Sequence, residues 1–261
     1  MNSKSNFKII ALVAAFAVTL PITEFGSTAA SAQDPLLKKS QTKDGTFMYP
    51  PEWGTINITK TKDNPLIDKG DIPDGVAPAH IECRFSKSKA TIYIYPIKDA
   101  GTADFKKKYE AIADATNDLK KLLKEHPAAP KTIPYLPWAD AGDPTNAQVK
   151  YVSGKDRSAV RFLTQQTADA TEFNNTDLLY SNQSLTTDGK SFIAAWLPVA
   201  AEGLPAKDGA SQMKPDKYKQ FTLDYPSYAK KMLKKLNALT DAQFKLPLST
   251  LDKISEGIWV Q

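Results

Sequence analysis

Over most of the chain apolar and polar residues alternate with the period of a strand, and in two long stretches the spacing changes to the three-and-four pattern of a helix. After a polar leader, Gly45-Thr46-Phe47-Met48-Tyr49 reads as a short strand stopped by Pro50-Pro51 and closed by Trp53. Residues 57–62 alternate Ile and Thr as an edge strand does, and residues 63–78, rich in Pro, Gly and Asp, read as loop. Residues 80–86 and 90–97 then form a predicted hairpin across a short Lys and Ser turn. Within it, Ile81-Glu82-Cys83-Arg84-Phe85 sets Cys83 on the opposite side from Glu82 and Arg84, where a buried structural thiol is expected.

The first helical pattern starts near Ala103, with Thr102 placed to cap it, and Phe105, Tyr109, Ile112, Thr116, Leu119 and Leu123 make its apolar stripe. Lys106, Lys107, Lys108, Lys120, Lys121 and Lys124 fall mostly off that stripe and form a solvated face, while His126 suits the negative pole at the helix end. Pro127, Pro130, Pro134, Pro137 and Pro144, with Tyr135, Leu136 and Trp138 among them, are too stiff for a helix and too apolar for a loose linker. An ordered segment crossing the domain is expected there.

Further strands are predicted over residues 149–153, 159–167, 177–185 and 191–199, the last two joined through Thr187-Asp188-Gly189, a hairpin turn. Asp224 is read as the cap of a second long helix, with Pro226 in its first turn and Tyr228, Met232, Leu236 and Leu239 facing inward. A short helix around Leu251 and Ile254 and a closing strand at residues 258–260 complete the chain. Strands, helix, strands, helix, with tight hairpins between the later strands, define an α+β fold: an antiparallel sheet packed with two long helices.

Composition adds compartment and exclusions. Lys4 and Lys8 precede an apolar run over residues 9–20, followed by Ala30-Ser31-Ala32, which together read as a secretory signal over residues 1–32. The run is too short to cross a hydrocarbon core, which needs roughly 20 apolar residues. An exported protein, periplasmic or extracellular and without a membrane span after cleavage, is expected, with residues 33–261 as a single globular domain. Cys83 is the only cysteine, so an intramolecular disulfide is excluded. The formal net charge is +5, and Arg84, Arg157 and Arg161 are the only arginines, a poor set for phosphate recognition; nucleic acid is not an expected partner. His80 and His126 lie far apart without metal spacing, and G-x-S-x-G, P-loop and H-E-x-x-H signatures are missing, so no metal, cofactor or catalytic residue is assigned.

The densest polar stretch runs over residues 161–199. Arg161, Leu163 and Gln165 share one strand face; Leu179, Ser181, Gln183 and Leu185 share one face of the next strand and Tyr180 and Asn182 the other. Arg161, Gln165, Asn174, Tyr180 and Gln183 are the candidate ligand-binding residues, for an unknown small ligand or an envelope protein. The competing expectation is that they hold the loop of residues 171–176, since buried polar groups need partners with or without a ligand. A non-catalytic binding domain is the leading reading; a carboxylate-based hydrolase acting on envelope material and a purely structural envelope protein are the alternatives.

Leu136-Pro137, Asn146-Ala147-Gln148, Val160-Arg161-Phe162-Leu163-Thr164-Gln165, Asn174-Asn175, Asp177-Leu178-Leu179-Tyr180, Gln183, Leu185-Thr186, Asp188-Gly189 and Leu197-Pro198-Val199 resemble a widespread family of uncharacterised exported bacterial proteins and lipoproteins. The resemblance runs from Tyr49 to Leu251-Asp252 and implies export and a shared fold, with no activity attached. Phe47-Met48-Tyr49-Pro50-Pro51-Glu52-Trp53 and the order of elements show a looser similarity to PsbP-like proteins, which implies a sandwich of that kind.

Overall fold

In chain order the elements are β1 (Lys38–Thr42), β2 (Gly45–Tyr49), β3 (Ile56–Thr61), β4 (His80–Phe85), β5 (Thr91–Pro96), α1 (Ala103–Lys108), α2 (Glu110–Glu125), β6 (Ala147–Ser153), β7 (Arg157–Thr164), β8 (Leu179–Thr186), β9 (Ser191–Pro198), α3 (Pro215–Ala238), α4 (Leu248–Glu256) and β10 (Trp259–Val260). They come from a computed structural model that describes residues 37–43, 45–66, 76–137, 145–167 and 169–260. The expected signal segment, residues 67–75 of the expected loop, and Trp138 and Pro144 of the Pro-rich segment lie outside the described residues.

The alternating runs pair into a seven-stranded antiparallel sheet in the order β3-β4-β5-β9-β8-β7-β6 and a three-stranded one in the order β1-β2-β10. The predicted hairpins β4–β5 and β8–β9 form as expected, and β3 is an edge strand. One face of the large sheet carries Cys83, Ile92, Leu163, Tyr180 and Leu197, and packs with Phe47, Tyr49, Leu236, Leu251 and Ile254 from the small sheet, α3 and α4. The other face carries Val160, Phe162, Phe192 and Ala194, and packs with Ile112, Leu119, Ile133 and Leu136 from α2 and the Pro-rich segment. The fold is thus α+β with an antiparallel sheet and a helical layer on each face, and the described part of the Pro-rich segment packs Ile133 and Leu136 into the core. Cys83 is fully buried.

Local chemistry explains where the elements begin and end. The Thr102 Oγ1 accepts a hydrogen bond from the Phe105 amide at 3.2 Å and caps α1. The helix expected to run on unbroken is interrupted at Tyr109 (φ −138°, ψ 52°), which separates α1 from α2. His126 ends α2 in the left-handed region, and its ring stacks on Tyr151 at 4.5 Å. β10 closes on β2 so tightly that a Cβ at Gly45 would strike the Trp259 carbonyl.

Two expectations are corrected. The polar leader includes a strand, β1, because backbone pairing with β2 needs no apolar side chains. Asp224 does not cap α3: the helix begins at Pro215 and passes through Pro226 in its interior. Pro226 is exposed, so the carbonyl it leaves unpaired can turn to water, while Phe221, Tyr225 and Tyr228 pack ring against ring across the same turns. Pro215 in the first turn is the residue that suits a helix start.

Candidate functional site

Register decides which polar residues meet. Arg161 lies opposite Asn182 and Leu163 opposite Tyr180, so Arg161 and Tyr180 share the face covered by α4. There they meet Asp252, a carboxylate only 6% exposed that sequence reasoning missed as a site residue. Tyr180 Oη donates to Asp252 Oδ1 at 2.9 Å, Lys150 Nζ lies 2.8 Å from Oδ2, and Arg161 Nε lies 3.3 Å from Oδ1. The Arg161 Nη1 donates to the Gln148 carbonyl. Both Asp252 oxygens are therefore engaged inside the chain, and the guanidinium is held through Nη1, while its buried Nε pairs with Asp252 by charge and makes no hydrogen bond among the described residues. A signal was present: Leu248, Leu251, Asp252 and Ser255 lie at helical spacing, so Asp252 sits in the apolar stripe of α4, where a carboxylate requires a buried cation.

Gln148 owes its position to an irregularity in β6, where the register with β7 shifts between Ala147 and Lys150 and Gln148 takes φ 53°. Its amide nitrogen side chain donates to the carbonyls of Leu236 and Leu239 at 2.9 Å each, and its backbone N–H donates to Asn237 Oδ1 at 2.6 Å. The bulge thus ties the end of α3 to the strand that carries Arg161.

Gln165 and Asn174 meet away from Arg161. Gln165 Nε2 donates to Thr171 Oγ1 at 3.1 Å and to the Glu172 carbonyl at 2.9 Å, while its Oε1 accepts the Asn174 amide at 3.0 Å. Asn174 Oδ1 accepts the amides of Thr176 and Asp177, and Asn175 holds the 201–204 turn through Ala201 and Leu204. Gln183 does not join either group: it pairs with Val160 and so points to the α2 face, opposite Arg161. There its Oε1 accepts the Leu136 amide at 2.9 Å, and Trp196 Nε1 donates to the Leu136 carbonyl at 2.7 Å. The five candidates are therefore split three ways, because a residue's face follows its pairing register and β8 puts Tyr180 and Gln183 on opposite sides. Asn174 and Asn182, both in N-x-S/T tripeptides, are buried and out of reach of a glycan.

Among the described residues, a different set reaches solvent. On the α2 side, β3, β4 and β5 carry exposed Thr59 and Arg84 and half-buried Glu82 and Tyr93, while the opposite side of these strands buries Cys83, Ile92 and Ile94. The register places Thr59 beside Glu82 and Glu82 beside Tyr93, and Arg84 beside Thr91, which pairs with Trp196. Arg84 grips the Glu82 carboxylate through Nε at 2.7 Å and Nη2 at 2.5 Å. Tyr93 and Tyr95 stack with ring centroids 6.1 Å apart and 9° between planes, and His80 lies 4.7 Å from Tyr95. His80 Nδ1 sits 2.9 Å from the Pro78 carbonyl, an arrangement that leaves Nε2 as acceptor when Nδ1 carries the proton. Tyr93 lines two adjoining recesses, one of about 250 Å³ with His80 and Arg84 and one of about 290 Å³ with Thr91 and Trp196.

Burial pushes the Tyr93 phenol up to about 12, with the Glu82 carboxylate adding to the shift, and burial with the Asp252 carboxylate raises Tyr180 further still. An unfolded tyrosine titrates near pH ~10, so the stabilisation from these neutral phenols is complete below that pH and is lost as pH rises through the folded values. The melting temperature is expected to fall progressively above pH ~10, less steeply for Tyr93→Phe than for the wild type. Parallel slopes for the two proteins in a pH series of thermal melts would refute this.

Among the described residues, no helix is long and apolar enough to cross a membrane, and no group of three or more His, Cys, Asp and Glu is placed to hold a metal ion. No family model and no curated protein matches the chain. Among solved structures it is similar to the solution structure of cyanobacterial PsbP (CyanoP) from Synechocystis sp. PCC 6803, with 11% identity over 78% of this chain and 96% of that one and a TM-score of 0.29.

Proposed function

We propose that the chain is an exported, non-catalytic binding domain of the bacterial family its motifs resemble, and that its ligand lies on the open sheet face around Tyr93. The observation that supports this reading is the contrast between the two polar sites. Arg161, Asp252, Tyr180, Gln165, Asn174 and Gln183 are buried and hydrogen-bonded within the chain, whereas Arg84 is largely exposed beside a half-buried Tyr93. In this reading the motif residues hold the sheet, α4 and the 171–176 loop in place, and the strands beyond α2 present the ligand surface. Tyr93 there offers flat apolar area with a polar tip, and the Glu82–Arg84 pair offers acceptors and donors beside it.

A thermal-shift screen of the protein against sugars, muropeptides, fatty acids, amino acids and nucleotides tests it. A ligand at a hundredfold excess over its dissociation constant stabilises the fold by about 2.7 kcal/mol. The shift is expected to disappear in Tyr93→Ala and to persist in Arg161→Ala, even though the second variant starts from a lower melting temperature. The reverse pattern would return the site to the Arg161 region and sink this proposal.

A further inference from the structure

Resting on that binding reading, we infer that the ligand of the open face is an uncharged oligosaccharide lying across Tyr93. Charge comes first. Arg84 is matched by Glu82 within the face, and Lys89 at the far recess is accompanied by Asp177. A site so balanced offers no net attraction to an anion or a cation. What it does offer is a series of planar polar groups: the Glu82 carboxylate, the guanidinium N–H groups of Arg84 not used on Glu82, and the side chain of Gln166 in the second recess. Pairs of such donors and acceptors match the vicinal hydroxyls of a pyranose.

Shape comes second. Tyr93 is the half-buried ring of this face, backed by the nearly parallel and buried ring of Tyr95, and Trp196 lines the recess on the far side of Tyr93. Flat rings interleaved with planar polar groups suit a molecule whose own rings have apolar C–H faces and polar rims. A fatty chain would strip water from the Glu82–Arg84 pair and offer nothing to its remaining donors and acceptors. Tyr93 stands between recesses of about 250 and 290 Å³, each below the ordinary size of a ligand pocket and together within it. An occupant that fills both must be elongated, an oligomer of rings in preference to a single sugar.

Isothermal titration of the protein with a panel of neutral hexasaccharides, including cellohexaose, chitohexaose and maltohexaose, tests the inference. At least one is expected to bind saturably, with the affinity reduced about tenfold in Tyr93→Ala and in Arg84→Ala, and retained in Tyr93→Trp, which keeps a ring at the position. Lys124→Ala, on the exposed side of α2, leaves binding unchanged. Monosaccharides bind more weakly than the hexasaccharides. If none of the panel binds, the saccharide assignment is overturned. A charged or peptide ligand that binds and is lost in Tyr93→Ala overturns it too, while the binding reading itself stands. A hexasaccharide that binds equally to wild type and Tyr93→Ala overturns both.

Discussion

Replacing Asp252 with alanine is expected to destabilise the fold by roughly 3–5 kcal/mol, a large share of the total stability of an ordinary domain. Among the described residues Asp252 is the only acid paired with Arg161, which is 7% exposed, and its removal leaves there a buried guanidinium with one backbone carbonyl as partner. It also removes the acceptor at which the Tyr180 hydroxyl is directed, leaving that hydroxyl to Asn182 and Ser255. Lys150 suffers less, since its side chain is 54% exposed and can hydrate. Chemical denaturation measures the loss. Asp252→Asn should fall between wild type and alanine, because its amide oxygen still accepts from Tyr180 while the charge pairing is gone. A double substitution, Arg161→Met with Asp252→Leu, should recover much of the stability, since apolar side chains of similar size often replace a buried ion pair at little cost. A loss below about 1 kcal/mol in Asp252→Ala would mean that water takes the place of the carboxylate and that the cluster does not hold α4 to the sheet.

The strands were legible because each buries one face. Ile81, Cys83 and Phe85 against Glu82 and Arg84, and Ile92 and Ile94 against Tyr93, are readable from period alone, and both hairpins follow from their turns. The α3 start was misread because Asp224 is a good cap in isolation and Pro226 a good first-turn residue, while Pro215, well before both, satisfies the same rule. Local rules rank candidates but do not choose among them. β1 escaped notice because its pairing is through backbone and its side chains are half-exposed to exposed. The polar cluster was half legible: Arg161 and Tyr180 could be named, but their common partner Asp252 lies far along the chain on α4, and the register that sends Gln183 to the opposite face is a property of strand pairing.

The same distinction between site and scaffold yields a second large effect. Gln165→Leu is expected to cost roughly 1–3 kcal/mol, because leucine leaves the Asn174 amide without its acceptor and removes one of two donors to the Glu172 carbonyl, which keeps Asn174 Nδ2. Asn174 is fully buried, so its amide cannot turn to water without opening the loop. Opening has further consequences, since the next residues hold distant parts of the chain: Phe173 donates its amide to Tyr228 Oη on α3 at 2.9 Å, and Asn175 secures Ala201. The loss should therefore show as global destabilisation in denaturant and also as a new protease cut within residues 169–176 under native conditions. Glutamate at the position should rescue little: it keeps an acceptor for the Asn174 amide but has no N–H for Glu172, and it buries a charge. If Gln165→Leu melts like the wild type and instead abolishes the ligand shift that Tyr93→Ala leaves intact, the polar stretch that dominates the sequence is a binding site after all, and the open face around Tyr93 is ordinary surface.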